Sequence, residues 1–443
     1  MRKLIILLAS TVIALQSIAQ VEKQRITLEN IQRDGTFYAR SIRGITSMND
    51  GEHYTVIESG GKIAKYSYAK GKRVDILFDA ENFDIPSLKK ISGYELSADE
   101  NKILLSTNVV PIYRRSFTAD YYIYDIQKKT VAPLSNNGVQ RLATFSPDGQ
   151  KVAFVRENNI YIVRLNSGKE TQITFDGKFN HIINGAADWV YEEEFALATG
   201  MQWSPDSKQL AFYRFDESDV KVFSMSMFQD QLYPENYTFK YPKAGEDNSI
   251  VSIHAYNLDT EETKTMDIGN ETDQYIARIK WTINPNQLSM VRLNRLQNKV
   301  EILLANAESG STKVLYTETN EHYVEEPNDD YPLFTSDGKY FIIPSEMDGY
   351  NHIYLYNMNG KLETQLTSGK NEVRKVYGYD ARSKRVYYTA SMNRQCAQLL
   401  SGFRWMVKNT KNYRSVSVQT LQLSAKRLST TSTFTHRLAR QPL

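Results

Sequence analysis

FSPDGQKVAFVRENNIYIVRLNSGKETQIT, residues 145–174, contains a complete strand–turn–strand unit and decides the fold class. In its turn, Pro147 supplies the fixed φ of the second turn position and Gly149 closes the turn. Two runs rich in Val, Ile, Phe and Tyr follow at 152–155 and 160–165, and these residue types favour β-strands. The stretch therefore predicts a small antiparallel sheet.

Related turns recur along most of the chain. They are separated by 45 to 58 residues, apart from one gap of 78 residues. A period of this length, with about four short strands in each unit, is typical of a β-propeller, and the alternative is an array of β-sandwiches with coincidental turns. The seven recognisable starts are ITSMNDGEHYTVI from Ile45, LSADENKILLS from Leu96, the unit from Phe145, WSPDSKQLAFYRFD from Trp203, WTINPNQLSMVRL from Trp281, FTSDGKYFIIPS from Phe334 and YDARSKRVYYTAS from Tyr379.

The composition agrees with a β-rich chain that can bury a substantial core. Of the 443 residues, 41% are hydrophobic and 24% are charged, and 29 Tyr and 18 Phe favour strands over helices. There is a single cysteine, Cys396, so no intramolecular disulfide can form. Packing therefore has to supply the stability.

The first residues have the pattern of a secretory signal peptide. Arg2 and Lys3 precede an apolar run over residues 4–15, and residues 17–19 offer a cleavage site of small residues. A transmembrane anchor is the alternative, but the apolar run is short for a bilayer. We expect a signal peptide at 1–19 and no integral membrane span after its removal. Because disulfides are excluded, export to the periplasm or exterior of a bacterium fits best.

The charge of the chain changes abruptly after Asp380. Residues 381–443 contain 12 Lys or Arg and no Asp or Glu, whereas residues 1–380 carry 42 basic and 51 acidic residues, a net charge of −9. Strand alternation continues to about residue 392 and then fails. We expect a propeller domain at 20–392 and an aberrant basic tail at 393–443, out of frame or disordered. A tail that binds nucleic acid is the weakest alternative, and we expect no nucleic-acid partner.

No self-contained catalytic motif is present in the sequence. It contains no G-x-S-x-G, H-E-x-x-H, Walker loop or G-x-G-x-x-G pattern. The six histidines are scattered without the spacing of metal ligands. The sequence therefore predicts no catalytic residue, no metal site and no cofactor.

The segment ADWVYEEEFALATG, residues 187–200, contains three consecutive glutamates, Glu192, Glu193 and Glu194. It interrupts the strand pattern and begins with Asp188, a suitable N-cap, which predicts a short inserted helix. Acidic residues near a helix N-terminus complement the helix dipole and need no ligand. Alternatively, the helix protrudes from a propeller face and lines a pocket. The residues alone leave both explanations open.

The motif DWVYEEE resembles the double-glutamate motif of the dipeptidyl peptidase IV branch of the prolyl oligopeptidase family. WSPDSKQLAFYRFDESDV, YPKAGEDNSIVSIHAYNL, NRLQNKVEI and FTSDGKYFIIPSEMDGYNHIYLY follow in the family's order, and YRRSFTADYYIYDI upstream resembles its arginine segment. The resemblance covers residues 25–392. It implies an all-β, eight-bladed propeller, of which about seven blades are recognisable, stacked on a C-terminal α/β-hydrolase domain with a Ser-Asp-His triad. That hydrolase domain is absent from the sequence.

The resemblance also implies a substrate-binding site. Carried over by position, Glu193 and Glu194 bind the free α-amine of a peptide, and Arg114 contacts a peptide carbonyl. Two carboxylates can accept hydrogen bonds from one ammonium and neutralise its charge. Tyr113 occupies the family's aromatic position before the arginine. Tyr113 and Glu192 are expected as pocket neighbours, with Glu192 pointing away or forming a structural salt bridge.

The residues alone leave an alternative for the arginine as well. Arg114 and Arg115 are also compatible with a solvated pair at the start of a strand. The chain departs from the family too, because some members have a Phe-Arg pair that lines the pocket and EEPNDDYPLF, residues 325–334, lacks it. That part of the pocket must therefore differ.

The family removes X-Pro or X-Ala dipeptides from peptide N-termini, and its members are often dimers. The resemblance therefore implies the substrate-recognition propeller of a secreted serine peptidase, inactive alone without its catalytic domain, with peptide N-termini as ligands. A homodimer is an option. The alternative function is a stand-alone β-propeller that binds peptides or proteins.

Overall fold

The structure is a computed structural model, and it describes residues 25–38, 44–380, 382–391, 398–404 and 419–420. The chain divides into two units, residues 1–44 and 45–443. In the first unit the described structure contains the helix α1 (Leu28–Gln32), whose N-cap Thr27 forms a capping box with Asn30. The predicted signal peptide at 1–19 lies outside the described residues.

Seven successive antiparallel sheets of four or five strands make up the described part of the second unit, together with one two-stranded hairpin. In most of these sheets the spatial order of the strands follows their order along the chain, as in the blades of a propeller. The seven starts recognised in the sequence fall one to each sheet. The prediction of an all-β propeller is confirmed.

The first three sheets use strands from residues 46–172, and two short 3-10 helices, Ala80–Asn82 and Pro86–Lys90, lie between the first and second. The strands are β1 (Thr46–Ser47), β2 (His53–Glu58), β3 (Lys62–Ser67), β4 (Arg73–Asp79), β5 (Gly93–Leu96), β6 (Lys102–Pro111), β7 (Phe117–Asp125), β8 (Thr130–Pro133), β9 (Arg141–Phe145), β10 (Lys151–Arg156), β11 (Asn159–Arg164) and β12 (Lys169–Gln172).

The fourth sheet is the largest and carries the insertions. Its strands are β13 (Ile182–Asn184), β14 (Met201–Trp203), β15 (Gln209–Asp216), β18 (Ile250–Asn257) and β19 (Glu262–Thr265), and the hairpin is β16 (Val222–Met227) with β17 (Glu235–Lys240). The last three sheets follow in chain order. Their strands are β20 (Gln274–Trp281), β21 (Gln287–Asn294), β22 (Lys299–Asn306), β23 (Thr312–Thr319), β24 (Leu333–Phe334), β25 (Tyr340–Ser345), β26 (His352–Asn357), β27 (Leu362–Gln365), β28 (Val373–Asp380), β29 (Arg385–Ser391), β30 (Gln398–Arg404) and β31 (Gln419–Thr420).

The unit at 145–174 shows how the sequence produces such a sheet. Residues 152–155 of β10 are all fully buried, so both faces of this strand pack against neighbours and the apolar run is continuous. The turn before it needs Gly149, whose φ is +63° and whose N–H donates to the Ser146 carbonyl over 2.8 Å. The turn residues and the buried apolar run therefore both favour the antiparallel strand pair at this position.

The predicted helix is present as α2 (Trp189–Glu194), inserted between β13 and β14. The prediction that Asp188 is its N-cap is confirmed, because the Asp188 carboxylate accepts from the N–H of Tyr191 over 2.8 Å. Tyr191 anchors the helix in the core. It is 1% exposed, and its hydroxyl accepts from the N–H of Ile276 over 2.9 Å. Packing rather than helix propensity holds these six residues in place.

The segment for which the sequence predicts an aberrant tail, 393–443, is described only at β30 and β31. β30 pairs with β29 in antiparallel register from Arg385↔Arg404 to Ser391↔Gln398. The rest of this segment lies outside the described residues, so the prediction stays a prediction. Over the ranges that the structure describes, no helix has both the length and the apolar character needed to cross a membrane.

Candidate functional site

The arginine loop and the glutamate helix come together, although they belong to different sheets. Arg114 lies in the loop 112–116 between β6 and β7 of the second sheet, and Glu193 lies on α2 in the fourth. The Arg114 Nη2 atom is 2.7 Å from Glu193 Oε1. Two of the three side chains predicted for substrate binding are therefore in direct contact.

This ion pair is partly exposed to solvent. The side chains of Arg114 and Glu193 are 68% and 30% exposed. Exposed ion pairs contribute about 0–1 kcal/mol, because water and salt screen them. Glu194, the next residue, is exposed beside them. The site therefore presents two carboxylates and one guanidinium that are accessible to solvent.

The first glutamate of the motif differs completely from the other two. Glu192 is 1% exposed. Its Oε1 accepts from the backbone N–H groups of Arg115 and Ser116 over 2.6 and 2.8 Å. Its own carbonyl accepts from the Arg115 Nη1 atom over 2.9 Å. The carboxylate thus binds the backbone of the arginine loop instead of forming a side-chain salt bridge.

The helix dipole stabilises acidic residues only near the N-terminus of α2, so the bounds of the helix show which of the three glutamates it can stabilise. Only Glu192 lies in the first turn, where negative charge is favourable. Glu193 and Glu194 are the last two residues of the helix, near its negative carbonyl end. The helix dipole therefore accounts for neither of them, and Glu193 instead pairs with Arg114.

Tyr113 precedes the arginine and is half-buried. Its ring centroid lies 6.0 Å from that of Phe239 on β17, so it packs toward the base of the hairpin. Burial raises the pKa of its hydroxyl, and the charges of Glu217 and Asp188 raise it further. Tyr113 therefore remains a neutral phenol that supports the loop.

A group of buried charges behind the site was missed in the sequence. Burial lowers the pKa of Arg141 on β9, and Glu192 is the charged neighbour that counteracts this most. Burial raises the pKa of Glu217 to about 7, with repulsion from Asp188 adding to it and attraction to Lys240 opposing it. Arg141 and Lys240 lie outside the motifs, and nothing in the sequence links Asp188 or Glu217 to them, so only their positions in space reveal the group.

Residues 97–417 match the family model "Dipeptidyl peptidase IV (DPP IV) N-terminal region". This range is well over half of the chain and continues past residue 392. The chain belongs to the dipeptidyl peptidase IV N-terminal family.

Relatives within the family include proteins named as active and as inactive dipeptidyl peptidases. The chain is 33% identical over 321 residues to inactive dipeptidyl peptidase 10 of Mus musculus, an alignment that spans 68% of this chain and 40% of that protein. It is 30% identical over 378 residues to probable dipeptidyl peptidase 4 of Emericella nidulans, spanning 80% of this chain and 47% of that protein. The chain thus spans less than half the length of these curated relatives.

The structure is similar to that of a solved bacterial member. It matches the crystal structure of Porphyromonas gingivalis dipeptidyl peptidase 4 with a TM-score of 0.81 and 43% sequence identity, covering 86% of this chain and 54% of that one. A second match, to a putative dipeptidyl aminopeptidase IV from Bacteroides ovatus, has a TM-score of 0.62 and 24% identity and shows the fold alone.

The segment in which the Phe-Arg pair of some family members is missing lies close to the glutamates and is acidic. Arg278 connects the two, because it donates to the Phe195 carbonyl just after α2 and forms a 3.0 Å ion pair with Asp329. Burial raises the pKa of Glu326, and repulsion from Glu194 raises it as well. Acidic groups from the helix and from this segment therefore lie close together on this side of the site. Over the described residues, no group of three or more His, Cys, Asp or Glu has the arrangement of a metal site.

Replacing the buried acid by its amide, Glu217→Gln, should flatten the dependence of stability on pH. An ordinary glutamate has a pKa of 4.5 and Glu217 one of about 7. Between these values the folded chain keeps a proton that the unfolded chain has released. The free energy of unfolding of the unmodified chain therefore falls as the pH rises through this window, by about 1–3 kcal/mol from this group.

Urea denaturation of both proteins at several pH values between about 5 and 8 measures this difference. The exposed residue Glu321 supplies the control, since Glu321→Gln should leave the pH dependence unchanged. The same loss of stability with pH in Glu217→Gln and in the unmodified chain would show that Glu217 is not the group responsible.

Proposed function

We propose that this chain recognises peptide N-termini, as the propeller part of a dipeptidyl peptidase IV-like serine peptidase that releases X-Pro or X-Ala dipeptides. The observation that carries the proposal is the contact between Arg114 and Glu193, with Glu194 exposed beside it. Two distant segments supply one cluster of accessible acidic and basic groups, and family membership agrees with this assignment.

The chemistry of the cluster suits a free α-amine followed by a carbonyl. A primary ammonium has three donors, and Glu193 and Glu194 provide acceptors for it. On binding, the ammonium replaces Arg114 as the partner of Glu193, which costs little because the pair is exposed. The released guanidinium then donates to a peptide carbonyl. Glu193, Glu194 and Arg114 together carry one net negative charge, and the single cation of the ligand neutralises it.

In this proposal the chain anchors the substrate and does not itself cleave it. Holding the amine fixes which peptide bond reaches the nucleophile, so dipeptides are released. The cleavage step would belong to the Ser-Asp-His triad of a hydrolase domain. We also propose that the protein is exported, on the pattern of residues 1–19, and N-terminal sequencing of the protein from the cell envelope checks this.

A tripeptide with a free amine, Ala-Pro-Ala, should bind with a Kd of about 1 mM, because few contacts besides the amine are available. The N-acetylated tripeptide lacks the cation and should bind at least about tenfold more weakly. Glu193→Gln and Glu194→Gln should each weaken binding of the free peptide by about tenfold. Saturation-transfer NMR titrations of the folded chain measure these affinities.

The exposed strand residue Glu262 provides a matched control, and Glu262→Gln should bind like the unmodified chain. Equal affinity for the free and acetylated peptides would contradict recognition of the amine. It would instead support the stand-alone module that binds peptides by other features.

We further propose that the hairpin of β16 and β17 is a contact between two copies of the chain. The hairpin forms its own two-stranded sheet, and within this chain Tyr113 packs on it near its base, through Phe239. Leu232 and Tyr233 at its tip are 92% and 83% exposed, and Phe228 is 58% exposed. A cluster of exposed apolar side chains of this kind is typical of an interface.

The substitution Leu232→Asp should place a charge in this contact and weaken self-association at least about tenfold. Sedimentation velocity over a range of concentrations measures the change. Leu296 is 76% exposed elsewhere on the surface, so Leu296→Asp is the control and should leave association unaffected. A chain that stays monomeric at all concentrations would refute the proposal.

A further inference from the structure

We propose that Glu192 is a positioning residue that sets the affinity of the site for the peptide carbonyl, by fixing the loop that carries Arg114. The inference rests on the proposed function. It adds a role for the one glutamate of the motif that has no access to a ligand.

The geometry makes Glu192 the link between the two halves of the site. One oxygen of its carboxylate binds the backbone N–H groups of two successive loop residues, Arg115 and Ser116, and its carbonyl binds the Arg115 side chain. Arg114 precedes these anchored residues directly. Three hydrogen bonds from one residue therefore fix the course of the loop at the position where the guanidinium begins.

The charge of Glu192 strengthens this link. Hydrogen bonds to an ionised acceptor are roughly twice as strong as neutral ones. The carboxylate is almost completely buried, so water does not compete for the same N–H groups. Arg141, a half-buried neighbour, supplies the compensating positive charge for a group that would otherwise be costly to bury.

In the described part of the chain, the other oxygen of the Glu192 carboxylate makes no hydrogen bond that could replace those to the loop. Glu192 Oε2 and Arg141 Nε are both buried and have no hydrogen-bond partner among the described protein atoms. The bonds to Arg115 and Ser116 are therefore the ones that satisfy the carboxylate directly. Losing them would leave the buried carboxylate with no hydrogen bond and only the charge of Arg141 to compensate it, which makes the observed position of the loop strongly favoured.

A positioning role predicts a selective loss. In the proposed site, Arg114 contacts the carbonyl, whereas Glu193 and Glu194 contact the amine. A displaced loop should therefore weaken the binding of ligands that have both groups and leave the binding of ligands with an amine alone unchanged. The two probes are alanylprolinamide, which has both, and propylammonium, which has only the amine.

The variant Glu192→Gln should weaken binding of alanylprolinamide about 3- to 10-fold and change that of propylammonium by less than about 2-fold. Arg114→Met should show the same selectivity. In the double variant, Glu192→Gln should add nothing to Arg114→Met, because the group that it positions is already gone. Glu194→Gln is the matched contrast and should weaken both probes alike.

A role in folding alone would give a different pattern. If Glu192→Gln weakens both probes equally, or costs the same in the presence and absence of Arg114, the positioning role is refuted. If the unmodified chain binds neither probe, the proposed function fails, and this assignment fails with it. If the chain binds both probes but the losses from Glu192→Gln and Arg114→Met add up in the double variant, only the positioning role of Glu192 fails.

Two measurements keep the inference testable if Glu192→Gln does not fold. Arg115 is exposed, and Arg115→Met removes only its side-chain bond to the Glu192 carbonyl, so a smaller loss with the same selectivity is expected. In the unmodified chain, the amide protons of Arg115 and Ser116 should exchange with solvent at least about tenfold more slowly than that of Arg114. Uniform exchange across the loop, or an unselective effect of Arg115→Met, would overturn the proposal.

Discussion

The structure of the site depends on one buried carboxylate. Glu192 accepts two backbone N–H groups from a loop that lies 76 and 77 residues earlier in the chain. Without this link, the second and fourth sheets would each present a charged residue with no defined relation between them. With it, Arg114 and Glu193 lie 2.7 Å apart on a surface that remains open to solvent.

This arrangement explains why three adjacent glutamates coexist at the end of a six-residue helix. The helix is held by its buried face, where Tyr191 bonds the backbone of the fifth sheet and packs 4.8 Å from Phe215. Its last residues are therefore free to serve another purpose. Glu192 satisfies backbone donors, and only Glu193 and Glu194 are left with acceptors available to a cation. Repulsion within the motif is limited because backbone donors and the charge of Arg141 compensate Glu192, while Arg114 pairs with Glu193.

Much of the fold could be predicted from the sequence because its signals are local. The turn at Pro147 and Gly149, the strands around it and the cap at Asp188 each follow from a few adjacent residues. The pairing of segments carrying Arg114 and Glu193 was accessible only through resemblance to a family. The partners of Glu192 could not be predicted at all, since a backbone N–H group carries no residue-specific signal. Arg141 and Glu217 were missed for the related reason that burial by distant strands, not spacing, perturbs them.

In our proposal, the three glutamates divide into one that holds the loop and two that hold a ligand. A crystal structure of the chain with bound Ala-Pro-Ala tests it most directly. We expect the peptide ammonium within about 3 Å of both Glu193 and Glu194, with Arg114 moved from Glu193 to the peptide carbonyl and Glu192 unchanged. A peptide bound elsewhere with the Arg114–Glu193 pair intact, or Glu192 turned toward the ligand, would contradict it.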